Sequence, residues 1–147
     1  MRILIDADGC PVVDIAVKMA KQMNIDCMLF CDTSHVFEKN GAVTITVSKG
    51  VDSVDFALVN VAQRGDIVVT QDYGLAAMCL ARGAVPVSQD GMVYDDNNIL
   101  SLLSQRAMAK KIRMSGGRLK GSAKRSTEQD KAFEQKLKKL LNAEKDG

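Results

Sequence analysis

Short apolar runs recur along this chain, and each is separated from the next by a stretch of helical periodicity. The runs cover residues 2–5, 26–31, 42–47, 66–70 and 84–87; most are apolar along their length, and the third, AVTITV, is β-branched. Strands of that kind are buried on both faces, and strands that alternate with helices form a parallel α/β sheet. The intervening segments supply the helices. Val13, Ala16, Val17 and Ala20 fall at helical spacing after Pro11, which suits a first helical turn. Val54, Ala57, Leu58 and Val61 repeat the pattern over 52–63, with Gly65 as its stop. Further helices are predicted from Asp72 to about Arg82, and from Asn97 or Asn98 to about Arg113. A last one opens at Ser126-x-x-Gln129, a capping-box pattern, with Phe133, Leu137, Leu140 and Leu141 on one face. Met92 to Tyr94 adds a candidate short strand after the Asp90-Gly91 turn. The chain has 147 residues, which suits a single domain. Its expected parts are a body at 1–113, a basic Gly-rich loop at 114–126 and a C-terminal helix at 127–147.

A parallel sheet gathers the C-terminal ends of its strands along one edge, where ligands bind at the switch in strand order. Asp6 and Asp8 follow the first strand and Asp72 follows the fourth. Asp52 and Asp55, three apart and so on one helical face, open the helix reached from the third. Carboxylates packed together repel and raise one another's pKa unless they share a cation. A hard divalent ion, Mg²⁺ or Mn²⁺, takes such oxygens and keeps waters that phosphate oxygens can replace. The catalytic and metal-holding set expected is therefore Asp6, Asp8, Asp55 and Asp72, with Asp52 beside it and the Thr70 hydroxyl as a supporting donor. Simpler roles compete: Asp72 as a helix cap, Asp52 or Asp55 as helix-start residues, Asp8 as part of an Asp-Gly turn, Thr70 as a satisfied strand end.

The net charge of +2 conceals a division. Residues 1–104 carry 7 Lys and Arg against 13 Asp and Glu, whereas residues 105–147 carry 13 against 5. Within 106–125 there are eight basic residues and no acid. Such a basic arm on an acidic body points to a polyanion, with Lys110, Arg113, Arg118, Lys120, Lys124 and Arg125 as its phosphate contacts. A solvated helix face is the plainer account. The eight methionines and few aromatics read as core and not as a stacking platform. His35 is the only histidine, which excludes a His-rich zinc site. The four cysteines form no Cys-x-x-Cys pair and suit a reducing compartment. The apolar start is too short for a signal peptide, and no run spans a bilayer, so a cytoplasmic protein is expected.

At these residues the chain resembles the YaiI/YqxD family of bacterial proteins, which have a PIN-like domain. The blocks ILIDADGCPV, VDSVDFALV, GDIVVTQDYGLAAMCLARGA and SGGRLKGSAKRS carry the resemblance across nearly the whole chain. It implies a three-layer α/β/α sandwich around a mostly parallel sheet, and an acidic cluster like that of metal-dependent ribonucleases. In that pattern Asp6 corresponds to the first acid, Asp55 to the acid of the middle helix and Asp72 to the acid after the fourth strand. Asp8 or Asp95 is the candidate for a fourth. The expected activity is divalent-metal-dependent hydrolysis of phosphodiesters, with RNA as the polymer. Two other readings stand beside it. One is a non-catalytic RNA-binding module. The other is a haloacid-dehalogenase-type phosphatase with Asp6 as nucleophile and Asp8 as acid/base. Against the latter, Cys10 replaces the usual Thr, and Asp52 and Asp55 come too early. The last amphipathic helix can pack on its own domain or join two copies in a homodimer.

Overall fold

The computed structural model describes residues 1–34, 38–116 and 124–146. Its strands are β1 (Arg2–Asp6), β2 (Asp26–Asp32), β3 (Val43–Val47), β4 (Ile67–Val69) and β5 (Val85–Val87). The helices are α1 (Val13–Gln22), α2 (Ser53–Val61), α3 (Tyr73–Ala81), α4 (Ile99–Met114) and α5 (Thr127–Asp146). All four strand pairings are parallel, in the order β3-β2-β1-β4-β5. The chain thus steps outward from β1 to β3, then returns to lay β4 on the other side of β1. The β1–β4 boundary is the switch point, and the crevice for a ligand lies beyond the C-terminal ends of those two strands.

Alternation along the strands explains the layers. Ile3 and Ile5 of β1, Cys27, Leu29 and Cys31 of β2, and Ile67 and Val69 of β4 face one side, where α1 and α5 cover them. Leu4, Phe30 and Val68 face the other, against Leu58 of α2 and Leu75 and Cys79 of α3. Helix α4 packs outside α3 through Ala76, Tyr94 and Ile99. The result is the three-layer α/β/α sandwich. Phe133, Leu137 and Leu141 are fully buried, so α5 packs this face on its own domain. All four cysteines are free thiols. Among the described residues no helix is long and apolar enough to cross a membrane.

Three local expectations change. Pro11 lies in a turn ahead of α1, which starts at Val13 and whose first backbone bond runs from the Ala16 N–H to the Val12 carbonyl at 3.0 Å. α2 ends at Val61, ahead of Gly65, because the Ala62 backbone is already extended. Met92 to Tyr94 contributes only one antiparallel bridge, Val93 to Val87, bracketed by the Ser88 N–H on the Met92 carbonyl at 2.8 Å and the Tyr94 N–H on the Pro86 carbonyl at 3.0 Å, while the Tyr94 hydroxyl donates to the Thr70 carbonyl at 3.1 Å.

The start of α5 is fastened to the β5–α4 connection. Ser126 and Gln129 make the reciprocal capping box: the Ser126 N–H donates to Gln129 Oε1 at 2.8 Å and the Gln129 N–H to Ser126 Oγ at 3.4 Å. Gly91, at φ +87°, lies so near the helix that a Cβ there would stand 2.8 Å from the Ala132 carbonyl oxygen.

Candidate functional site

Asp6 ends β1 and Thr70 directly follows β4, so the two sit side by side across the switch point. The Thr70 hydroxyl donates to Asp6 Oδ2 at 2.9 Å and accepts the Asp72 backbone N–H at 3.0 Å. Tyr94, buried behind, holds the Thr70 carbonyl. This chain of bonds fixes where Asp6 and Asp72 stand relative to each other. Asp72 caps α3, its Oδ1 accepting the Leu75 N–H at 3.1 Å. The cap and the site coincide, because a capping side chain at the strand-to-helix turn faces the sheet edge. Asp8, in the turn after β1, accepts the Asp32 N–H on Oδ2 at 3.1 Å and ties the ends of β1 and β2 together.

Asp55 enters from the first turn of α2. Asp52, its N-cap, adopts a left-handed backbone at φ 59° and makes no capping bond with its side chain. Burial, then the fields of Asp72, Asp6 and Asp52, push the Asp55 carboxyl from its ordinary 3.8 up to about 7. Burial also raises Asp6; the Thr70 hydrogen bond opposes this, and Asp72 and Asp8 add to it. The five acids named from the sequence therefore act on one another across the switch point. Among the described residues no three His, Cys, Asp or Glu side chains form a ready-made metal cage. Asp95 is elsewhere: its Oδ1 accepts the N–H groups of Asn97 and Asn98 at 2.9 Å and shapes the entry to α4.

Two concavities open beside these acids. A narrow one, about 40 Å³, is bounded by Asp6, Asp8, Cys10, Thr70 and Gln89. A larger one, about 290 Å³, is bounded by Asp52, Asp55, Phe56, Asp72, Met78 and Arg106. A more voluminous concavity, about 730 Å³, lies at the opposite edge of the sheet around Arg2, Lys21 and Asp26. It lacks the convergent carboxylates, and the C-terminal edge is where this topology binds ligands.

Two residues of the larger concavity escaped the sequence reading. The Arg106 guanidinium pairs with Asp72 Oδ1 at 3.3 Å. Gly74 leaves room for that pair, since a Cβ there would stand 3.1 Å from Arg106 Nη1 and 3.2 Å from Asp72 Oδ1. Phe56, read as core, is 56% exposed at the mouth.

The basic arm divides. Lys110 and Arg113 are exposed on α4, and Lys124 is exposed beyond it. Arg118 and Lys120 lie outside the described residues, as does His35. Arg125 is committed within the fold: Nε donates to Asp130 at 2.7 Å, Nη1 to Asp90 at 2.8 Å and Nη2 to the Gln89 carbonyl at 2.6 Å. Its guanidinium latches α5 to the β5–α4 connection and has little left to offer a phosphate.

Fold and site together define a parallel α/β domain with carboxylates gathered at its switch point. The chain matches the family described as "Uncharacterized BCR, YaiI/YqxD family" over residues 4–143, and it belongs to that family. It is 49% identical to a UPF0178 protein of Exiguobacterium sibiricum over 146 residues, covering 99% of this chain and all of that one. It is 50% identical to a UPF0178 protein of Ruminiclostridium cellulolyticum over 147 residues, covering all of this chain and 96% of that one. A UPF0178 protein of Clostridium tetani is 41% identical over 145 residues, 99% of each chain. No solved structure matches the chain.

Proposed function

We propose that this protein is a divalent-metal-dependent nuclease that hydrolyses RNA phosphodiesters at the β1–β4 crevice. The observation that carries the reading is the electrostatic conflict at Asp55. Burial first, and then the fields of Asp72, Asp6 and Asp52, raise that carboxyl to about 7, and a cation shared among these acids would relieve the repulsion. The donors fit a hard ion in kind, being carboxylate oxygens. Mg²⁺ is commonly held by only one or two carboxylates, with waters and substrate phosphates completing its shell, so a closed three-ligand cage is not required. Asp6 and Asp72, fixed by the Thr70 bonds, would hold such an ion, with Asp55 and Asp8 facing it. When bound, Mg²⁺ or Mn²⁺ supplies an activated water and neutralises the charge on the leaving oxygen.

The chain's own residues do the rest. Thr70 holds Asp6 in one orientation through its hydroxyl. Arg106, paired with Asp72 at the rim, offers a guanidinium to an incoming phosphate. Arg106, Lys110 and Arg113 fall at i, i+4 and i+7 of α4, a helix without an acidic residue, and form a cationic stripe leading away from the acids. The test is cleavage of single-stranded RNA with Mg²⁺ or Mn²⁺. It is expected from the wild type and abolished in Asp6→Asn and Asp72→Asn; full activity in both variants rejects the reading. Tight, salt-sensitive RNA binding without cleavage under any divalent ion would make the protein a binding module instead.

A further inference from the structure

Resting on that reading, we propose that Phe56 is a base-stacking platform that makes the crevice select single-stranded over duplex RNA. Exposed apolar side chains are ordinary on any protein, and this one has several on other faces. Phe56 differs in its position. α2 presses Val54, Ala57, Leu58 and Val61 onto the sheet, which leaves Phe56 on the opposite side. The Phe56 N–H closes the first helical turn onto the Asp52 carbonyl at 3.0 Å, so the ring sits one turn above Asp52 and next to Asp55. Of the aromatic rings at described positions, Phe30, Phe133 and Tyr94 are fully or almost fully buried, and Tyr73 packs edge-on to Tyr94 with centroids 5.9 Å apart. Phe56 alone among them is more than half exposed, and it opens into the 290 Å³ concavity that Asp55, Asp72 and Arg106 share.

That volume is near the lower limit of about 300 Å³ for small-ligand pockets, which suits one nucleotide and not a larger group. Its composition suits a nucleotide in parts. Phe56 and Met78 give an apolar wall for the flat face of a base, and Arg106 gives a cation for the adjoining phosphate. The cationic stripe on α4 covers about 10 Å from Arg106 to Arg113 and continues the path for the strand. Stacking on an aromatic ring requires an unstacked base. Single strands present one readily, while a duplex has its bases already paired and stacked. The ring therefore discriminates by strandedness and not by sequence, since every base has a flat face.

The chain has no tryptophan, so Phe56→Trp places its only indole at this spot. Titration with an unstructured single-stranded RNA, with and without Ca²⁺ and at low salt, is expected to quench that indole saturably. A blunt-ended duplex of equal length without a loop is expected to leave it unquenched. In parallel, Phe56→Ala is expected to weaken single-strand binding roughly 10- to 100-fold by fluorescence anisotropy and to leave duplex binding unchanged. An unquenched indole under both conditions overturns the proposal. So does equal loss of single-strand and duplex binding in Phe56→Ala. A changed sedimentation coefficient with intact RNA affinity overturns it too, and assigns the ring to protein contact. Binding is read without turnover, so a stacked base in a protein that cleaves nothing would sink the nuclease reading alone. Cleavage with no stacking would sink only this proposal.

Discussion

Replacing Asp55 by Asn removes a charge that the folded protein holds at a cost. The Asp55 carboxyl rises from 3.8 to about 7 on folding, through burial first and then the fields of Asp72, Asp6 and Asp52. Between those values the native state keeps a proton that the unfolded chain has released. Stability from this group is therefore complete below pH 4 and is lost as pH climbs through about 7. At ~1.4 kcal/mol per pH unit the full rise is worth about 4 kcal/mol. Asp55 is only half-buried, so solvent screening brings this to about 1–2 kcal/mol. The α2 dipole favours a negative charge in the first turn by about 0.3–1 kcal/mol, too little to reverse the sign. Asp55→Asn should therefore be more stable than the wild type by about 1 kcal/mol at pH 8 in EDTA. The gain should shrink towards zero at pH 4.5. Urea melts of the two proteins at both pH values measure it. A variant less stable at pH 8, or a gain that ignores pH, would refute the claim that Asp55 is held under repulsion.

Two further outcomes separate structural from functional charges. Arg125→Ala should lower stability by about 1–2 kcal/mol, measured by urea melts, because three contacts latching α5 are lost. The salt dependence of RNA binding should stay as in the wild type, whereas Lys110→Ala should flatten it. Asp66 is 3% exposed and receives the Arg2 backbone N–H, its guanidinium at 2.7 Å and the Gln63 N–H at 2.9 Å. Asp66→Ala should thus cost about 3 kcal/mol in urea by leaving the buried side of Arg2 without its carboxylate.

The layers and the acids were legible for one reason: both follow from where strands end. An apolar run such as Ile3–Ile5 must be buried on two faces, and a parallel sheet must place Asp6 and Asp72 on one edge. Residues whose role depends on packing between helices were not legible. Arg106 is one cation in a run of eight until α4 lies against α3 and brings it to Asp72. The stripe of Val54, Ala57, Leu58 and Val61 leaves Phe56 on the other face of α2, but nothing in the spacing shows that this face borders Asp72 and Arg106. Arg125 reads as a phosphate ligand because its acceptors Gln89 and Asp90 come from a distant part of the chain. Tyr94 illustrates the same limit: its hydroxyl bond to the Thr70 carbonyl joins residues 24 apart, and no local pattern announces it.

A divalent cation shared by Asp6 and Asp72 would be seen in Mn²⁺ titration followed by electron paramagnetic resonance. The wild type should deplete the free Mn²⁺ signal saturably, with competition by Mg²⁺, and Asp6→Asn and Asp72→Asn should each lose most of that uptake while keeping their fold. Mn²⁺ uptake unchanged in both variants, or absent from the wild type, would contradict that sharing.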